Sequence, residues 1–321
     1  MIGKVDPDSL AALVLGRTGA PDDRVLQGPA YGEDTAAIEV EAGILVVNAD
    51  PISLAVGRVG TLGVDVAAND VAASGATPEW LTSVILLPGS ADPLDTITAQ
   101  LDEATRRLGV AIVGGHSEYA PALSTPMLVL TCFGLADRYV PTGGAEPGDR
   151  VVLTKGAGIE ATAILATDFR DRLEGRVPGD VLDAAEGFYD DVSVVPEAAV
   201  LREYAGAMHD PTEGGLVDGL LELAVASGVA LDVDPGAIPV RDATRRLCAA
   251  MGVDPFRTFG SGALLAAVPE DSTSEALAAL ERAGIDAAVV GTVRESGTPA
   301  LHLGEERFEE PVRDDMYALW E

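Results

Sequence analysis

A run of small residues, Val66-Ala-Ala-Asn69-Asp70-Val-Ala-Ala73, followed at once by Ser74-Gly75-Ala76-Thr77-Pro78, most narrowly limits what this chain can fold into. Small side chains let a helix pack closely against its neighbours, so the segment reads as a helix buried on most sides. Yet it carries an adjacent amide and carboxylate. A buried, unpaired Asp70 would cost several kcal/mol, so this position requires a metal or a hydrogen-bonding partner. Other carboxylates stand on loops beside glycines: Gly32-Glu33-Asp34-Thr35-Ala36, Asn48-Ala49-Asp50, Gly114-Gly115-His116-Ser117-Glu118 and Asp210-Pro-Thr212-Glu-Gly-Gly215.

At 321 residues the chain can bury two cores. Apolar residues make up 47%, but Asp65 and Asp70 break the longest apolar candidate, so no membrane span is expected. The start, Met1-Ile-Gly-Lys-Val-Asp6, lacks the basic and apolar regions of a signal peptide, which leads to the expectation of a cytoplasmic protein. Lys plus Arg number 21 against 52 Asp plus Glu, for a formal charge of −31. Such a charge repels phosphate backbones and anionic lipid, so neither nucleic acid nor a membrane is an expected partner. Lys4 and Lys155 are the only lysines, and the acids are spread along the chain rather than gathered in a tail. That pattern suits a halophilic surface, on which concentrated salt screens the self-repulsion; an acidic mesophilic protein is the alternative. Cys132 and Cys248 lie in apolar surroundings without Cys-x-x-Cys spacing and read as buried, reduced thiols.

Asp6-Pro7 with Leu10, Leu13 and Val14 predicts a short helix ending at Gly16. Strands are predicted at Ile44–Val47, Val84–Leu87, Val110–Val113 and Met127–Phe133, with helices over 58–74 and 93–108. Pro141–Asp149 is rich in turn formers and reads as a linker, dividing the chain into domains 1–140 and 149–321. Beyond it, strands are predicted at 151–154, 230–233, 263–268 and 287–290. Helices follow over 159–172, 195–205, 213–227, 241–251 and 273–283, the last opened by the capping box Ser272-x-x-Glu275. The alternation predicts an α+β or α/β protein of two sheet-plus-helix layers.

Several of these residues admit a chemical or a plain structural reading. Magnesium prefers a few carboxylates, waters and phosphate oxygens, so loop aspartates converging on a triphosphate make physical sense. Asp34 can equally cap its own loop, and Asn48 and Asp50 can form a turn before Pro51. Gly114-Gly115 would permit close backbone approach to a phosphate, with Ser117 as a hydroxyl donor. Asp210 or Thr212 can cap the helix that follows. Gly156-Ala-Gly158 lacks the downstream acid of a dinucleotide fingerprint, and Gly143–Gly148 lacks the lysine and hydroxyl of a P-loop.

In order and spacing, the Asn-Asp-Val-Ala-Ala-Ser-Gly-Ala-Thr-Pro and Asp-Pro-Thr-Glu-Gly-Gly runs resemble the AIR synthase-related (PurM-like) superfamily, over nearly the whole chain and most closely its HypE-like hydrogenase-maturation branch. The resemblance implies ATP and Mg2+ as cofactors and a two-domain PurM-like fold. It also implies a homodimer formed through the first-domain sheet, and γ-phosphoryl transfer to, or activation of, a small-molecule acceptor. It gathers Asp34, Asp50, Asp70 and Asp210 as metal ligands, with Gly32, Asn48, Asn69, Gly114, Gly115, Ser117, Lys155 and Thr212 around the nucleotide. For Lys155 a surface position is the alternative. Where relatives carry an aspartate this chain has His116, leaving His116 as a general acid or base, with Glu118 as a substitute ligand or catalytic partner. HypE dehydrates a carbamoyl group held on a C-terminal cysteine, whereas this sequence reads Leu319-Trp320-Glu321 there, so that chemistry is not expected on its own tail. The absence of an N-terminal cysteine likewise disfavours selenophosphate synthesis. The rival expectation is a nucleotide-binding maturation or scaffold protein without turnover.

Overall fold

The computed structural model describes residues 4–54, 57–89 and 93–321. Two mixed sheets of seven strands each divide the chain. The first holds β1 (Val25–Gln27), β2 (Ala36–Val40), β3 (Gly43–Val47), β4 (Asp50–Ile52), β5 (Thr77–Leu87), β6 (Ala111–Tyr119) and β7 (Met127–Ala136), in the order β1-β2-β3-β7-β5-β6 with β4 also on β7. The second holds β8 (Arg150–Thr154), β9 (Ala207–His209), β10 (Ala230–Val233), β11 (Leu265–Val268), β12 (Ala287–Arg294), β13 (Ala300–Leu303) and β14 (Glu306–Phe308), in the order β14-β13-β10-β12-β8-β11-β9. Among the described strands only β5/β6 and β10/β13 pair parallel, so the fold is α+β with mostly antiparallel mixed sheets backed by helices.

The helices are α1 (Pro7–Leu10), α2 (Val59–Ala73), α3 (Leu94–Leu108), α4 (Ile159–Thr167), α5 (Arg170–Leu173), α6 (Gly179–Glu186), α7 (Val195–Leu201), α8 (Gly215–Ser227), α9 (Asp242–Met251) and α10 (Glu270–Arg282). Every residue of α2 is buried. Its Val64, Ala67, Ala68 and Val71 pack into the core of the first sheet with Leu128, Leu130 and Cys132 of β7. Its Leu62 and Val66 join Ala161, Ile164 and Phe259 of the second unit, while Ala72 and Ala73 meet Val194 and Leu201. The small residues are thus explained: α2 lies between two cores and must approach both closely. A Cβ at Gly63 would stand 2.4 Å from Leu130 Cδ1.

Asp65 and Asn69 of α2 are satisfied by different neighbours. Both Asp65 oxygens accept from Arg107 of α3, at 2.6 and 2.7 Å. Asn69 donates to the Val192 carbonyl at 2.9 Å and accepts from Val194 N at 2.7 Å, clipping α2 to the second unit. Cys132 and Cys248 are free and buried, and burial pushes both thiols up to about 12.

Several expectations need correction: the strand predicted at Val84–Leu87 begins at Thr77, that at 287–290 runs on to Arg294, and the helix predicted over 195–205 ends at Leu201. The strand predicted at Val110–Val113 runs on through Tyr119 as β6. The helix predicted over 159–172 ends at Thr167 and resumes as the single turn α5. The capping box does not form, because Pro269 already starts α10 and Ser272 N–H bonds to its carbonyl inside the first turn.

Candidate functional site

Asp34 on the loop before β2, Asp70 in the last turn of α2 and Asp210 just after β9 bring carboxylate oxygens within 4.8 Å of one another. The loop holding Asp34 is anchored by its neighbour Glu33, whose carboxylate accepts from Tyr139 Oη and from the backbone N–H groups of Thr142 and Gly143. Asn48, at the end of β3, orients Asp70: its Nδ2 donates to Asp70 Oδ2 at 2.7 Å and to Asp50 Oδ2 at 3.1 Å, while its Oδ1 accepts from Cys132 N. Asp70 and Asp210 are buried and Asp34 is open to solvent.

Burial first, and then the charges of Asp210 and Asp50, hold the Asp70 carboxyl well above the ordinary carboxylate range. Asp210 is raised in the same direction by burial and by Asp34. Next to Asp210, the buried His209 faces Asp34 through Nδ1 at 3.5 Å and Glu222 through Nε2 at 2.9 Å. Burial opposes charge on its ring, but Glu222 and Asp34 outweigh that and push its pKa up to about 9. Glu222, which also takes Lys4 Nζ at 3.1 Å, is held at about 2 by Lys4 and His209 despite its own burial.

The three carboxyls share one imidazolium, which also serves Glu222, and burial with mutual repulsion holds Asp70 and Asp210 above the ordinary range in the absence of a cation. Asp210 Oδ2 is buried with no hydrogen-bond partner. This oxygen-only donor set fits a hard divalent cation such as Mg2+. A cavity of about 140 Å3 opens beside it, with Asp34, Asp50 and Asp70 on one side and Thr212, Glu160, Ser261 and Phe259 also in its lining.

Of the residues singled out from the sequence, Asp34, Asp50, Asp70, Asp210, Asn48 and Thr212 are brought together here. The others are not. Gly32 packs on α8, where a Cβ would meet the Glu222 carbonyl at 3.3 Å. Asn69 is spent on the clip to Val192 and Val194. Lys155 Nζ donates to the Asp191 and Ser193 carbonyls and pairs with Glu197 at 2.9 Å, so it is engaged within the second unit. Gly114, Gly115, His116, Ser117 and Glu118 lie along β6, exposed at the sheet edge, with His116 Nε2 3.3 Å from Glu118 Oε2. The close approach that demands Gly115 is to the neighbouring strand: at φ +153° a Cβ would fall 2.0 Å from the Ser83 carbonyl oxygen.

Glu160, Ser261, His209 and Glu222 escaped the reading of the sequence. Glu160 carries the same signal as Asp70, an acid inside the small apolar run Ile159-Glu160-Ala161-Thr-Ala-Ile164.

Residues 32–136 match the AIR synthase related protein N-terminal domain and residues 146–304 its C-terminal domain. Carbamoyl dehydratase HypE of Azotobacter vinelandii is 31% identical over 276 residues, covering 81% of this chain and 78% of that protein. Among solved structures, AaThiL complexed with AMPPCP and TMP superposes with a TM-score of 0.75 at 20% identity, over 95% of each chain. HypE in complex with ATP gives 0.71 at 23% identity, over 95% of this chain and 93% of that one. With both halves matched and a carboxylate cluster between them, the chain belongs to the AIR synthase-related family.

Proposed function

We propose that this protein is an ATP- and Mg2+-dependent enzyme that transfers the γ-phosphoryl group to a small-molecule acceptor or uses it to activate one. The observation that carries this reading is the Asp34–Asp70–Asp210 cluster, with a buried and unpartnered oxygen on Asp210. Asp34, Asp70 and Asp210 would hold the metal, with Asp50 at the rim. Bound there, Mg2+ would neutralise phosphate oxygens and organise the triphosphate for in-line displacement. Asn48 fixes the Asp70 carboxylate, and the Glu222–His209 pair restrains Asp34. The related HypE and ThiL structures with ATP and AMPPCP support a nucleotide at this fold's site.

The exposed edge strand β6, with Ile112, Val113 and Tyr119 open to solvent, supports a homodimer formed through the first sheet. In that assembly Gly114–Glu118 would act from the second copy, with His116 and Glu118 as its acid–base pair. We read residues 1–140 and 149–321 as the two domains of a cytoplasmic enzyme; no described helix is long and apolar enough to cross a membrane. A nucleotide-binding maturation protein without turnover is the second reading. It is favoured by the HypE relatives together with cysteines whose buried thiols are poor nucleophiles.

Isothermal titration with MgATP tests the site, and release of ADP separates enzyme from scaffold. The parent should bind MgATP, and Asp70→Asn should lose most of that affinity. Equal binding by Asp70→Asn would sink the placement.

A further inference from the structure

The cavity beside the aspartates is lined by the acids Asp34, Asp50, Asp70, Glu160 and Glu213 and, among its described lining residues, by a single cation, Lys4. Lys4 stands two residues before Asp6, whose carboxylate accepts from Ser9 N and caps α1. Neither α1 nor the turn that continues it to Leu15 buries a residue, so apolar packing contributes little to holding this segment in place. Lys4 ties it to α8: its Nζ lies 3.1 Å from Glu222 Oε1, 218 residues further along the chain. Glu222 is also the partner of His209, whose Nδ1 faces Asp34. Lys4, Glu222, His209 and Asp34 thus form one continuous row from the N-terminal segment to the carboxylate cluster. With the lysine side chain 44% exposed, its ion pair adds little to stability. An ammonium has three N–H donors, and the contact with Glu222 uses one of them.

We propose that Lys4 binds the terminal phosphoryl group of the nucleotide and makes the site prefer a nucleoside triphosphate over the diphosphate. This rests on the nucleotide reading above and deepens it. A triphosphate carries more charge than one divalent cation neutralises, and the acids of the lining add to the excess, so a cation is needed at the aspartate end of the cavity. Lys4 is the lining residue that supplies it. Its ammonium is a compact point charge on a flexible stem, suited to a phosphoryl group rather than to a flat, bidentate grip. Glu222 is the positioning residue: buried and held by His209, it keeps Lys4 Nζ at the cavity while the remaining N–H groups turn to phosphate oxygens. Transfer of the γ-phosphoryl group removes the anion that Lys4 holds. ADP is then bound more weakly than ATP, which favours its release.

The test is isothermal titration of the full-length protein, untagged at its N-terminus and at one fixed KCl concentration, with MgATP and with MgADP. The parent should bind MgATP at least about tenfold more tightly than MgADP. Lys4→Met keeps the length of the side chain and removes its charge. It should weaken MgATP about tenfold and MgADP less than about twofold, collapsing the preference. Lys4→Arg, which keeps the charge, should restore most of it. Lys4 is partly exposed on a segment that buries nothing, so both variants should fold as the parent does, with unchanged circular dichroism. Equal binding of the two nucleotides by the parent overturns the proposal. So does a Lys4→Met variant that keeps the preference or weakens both nucleotides alike, and so does a Lys4→Arg variant no better than Lys4→Met. A parent that binds neither nucleotide overturns the nucleotide reading instead, and the role of Lys4 with it.

Discussion

His209 Nε2 lies 2.9 Å from a Glu222 carboxylate oxygen, and both side chains are buried. The pair links β9 to α8 beside the aspartate cluster, and Lys4 adds a second cation on Glu222 from a partly exposed side chain. Removing one member of a buried ion pair leaves its partner without compensation, which costs about 3–5 kcal/mol. Glu222→Leu should therefore lower the urea midpoint by a stability loss of that order, with Glu222→Gln intermediate because it keeps a hydrogen-bond acceptor. A loss for Glu222→Leu below about 1 kcal/mol would mean the pair is hydrated in solution.

Strand β6 ends the first sheet, with Val113 58% and Tyr119 57% exposed. A long edge with apolar side chains invites pairing with another copy, and an introduced charge is the common way to block it. Val113→Lys should shift the protein from dimer to monomer in sedimentation equilibrium at molar KCl, with its circular dichroism unchanged. A parent that sediments as a monomer would refute pairing through this edge.

With a formal charge of −31 on 321 residues, mutual repulsion among surface acids opposes compaction in dilute buffer. Added salt shortens the screening length from roughly 10 Å at 0.1 M to about 3 Å at 1 M. The melting temperature should climb steeply over that range in KCl. A flat profile would remove the halophilic reading of the composition.

Burial raises Glu160 from 4.5 to about 7, hydrogen bonds from the Ser261 hydroxyl and N–H offsetting only part of the rise and Glu213 adding to it. An acid raised on folding holds its proton longer in the native state, so the native protein loses stability relative to the unfolded chain as pH climbs from about 4.5 to about 7. Glu160→Gln, neutral at every pH, escapes that loss. Its stability relative to the parent should grow through this window by an amount on the order of 3 kcal/mol and then stay constant. Parallel melting curves for parent and variant from pH 4.5 to 8 would show that Glu160 is solvated rather than buried.

The alternation Leu128, Leu130, Cys132 along β7 and the all-round small residues of α2 were legible in the chain, because strand and helix periods record which faces a segment buries. So was the requirement that Asp70 find a partner, since a carboxylate in an alanine-rich helix has no other explanation. The short helix at Pro7 and the buried, free cysteines followed from local pattern in the same way. Pattern alone did not tell which polar residues meet. Asn69 adjoins Asp70 in sequence, yet one closes a clip to Val192 and Val194 while the other faces the carboxylate cluster, because helix geometry turns neighbouring side chains about 100° apart. Gly115 answers to the Ser83 carbonyl of an adjacent strand rather than to a ligand. Lys155 is drawn onto Asp191, Ser193 and Glu197, and Glu160 reaches Ser261 across a hundred residues of chain. Such meetings depend on strand order and on how α2 sits between two cores, and spacing along the chain holds no record of either.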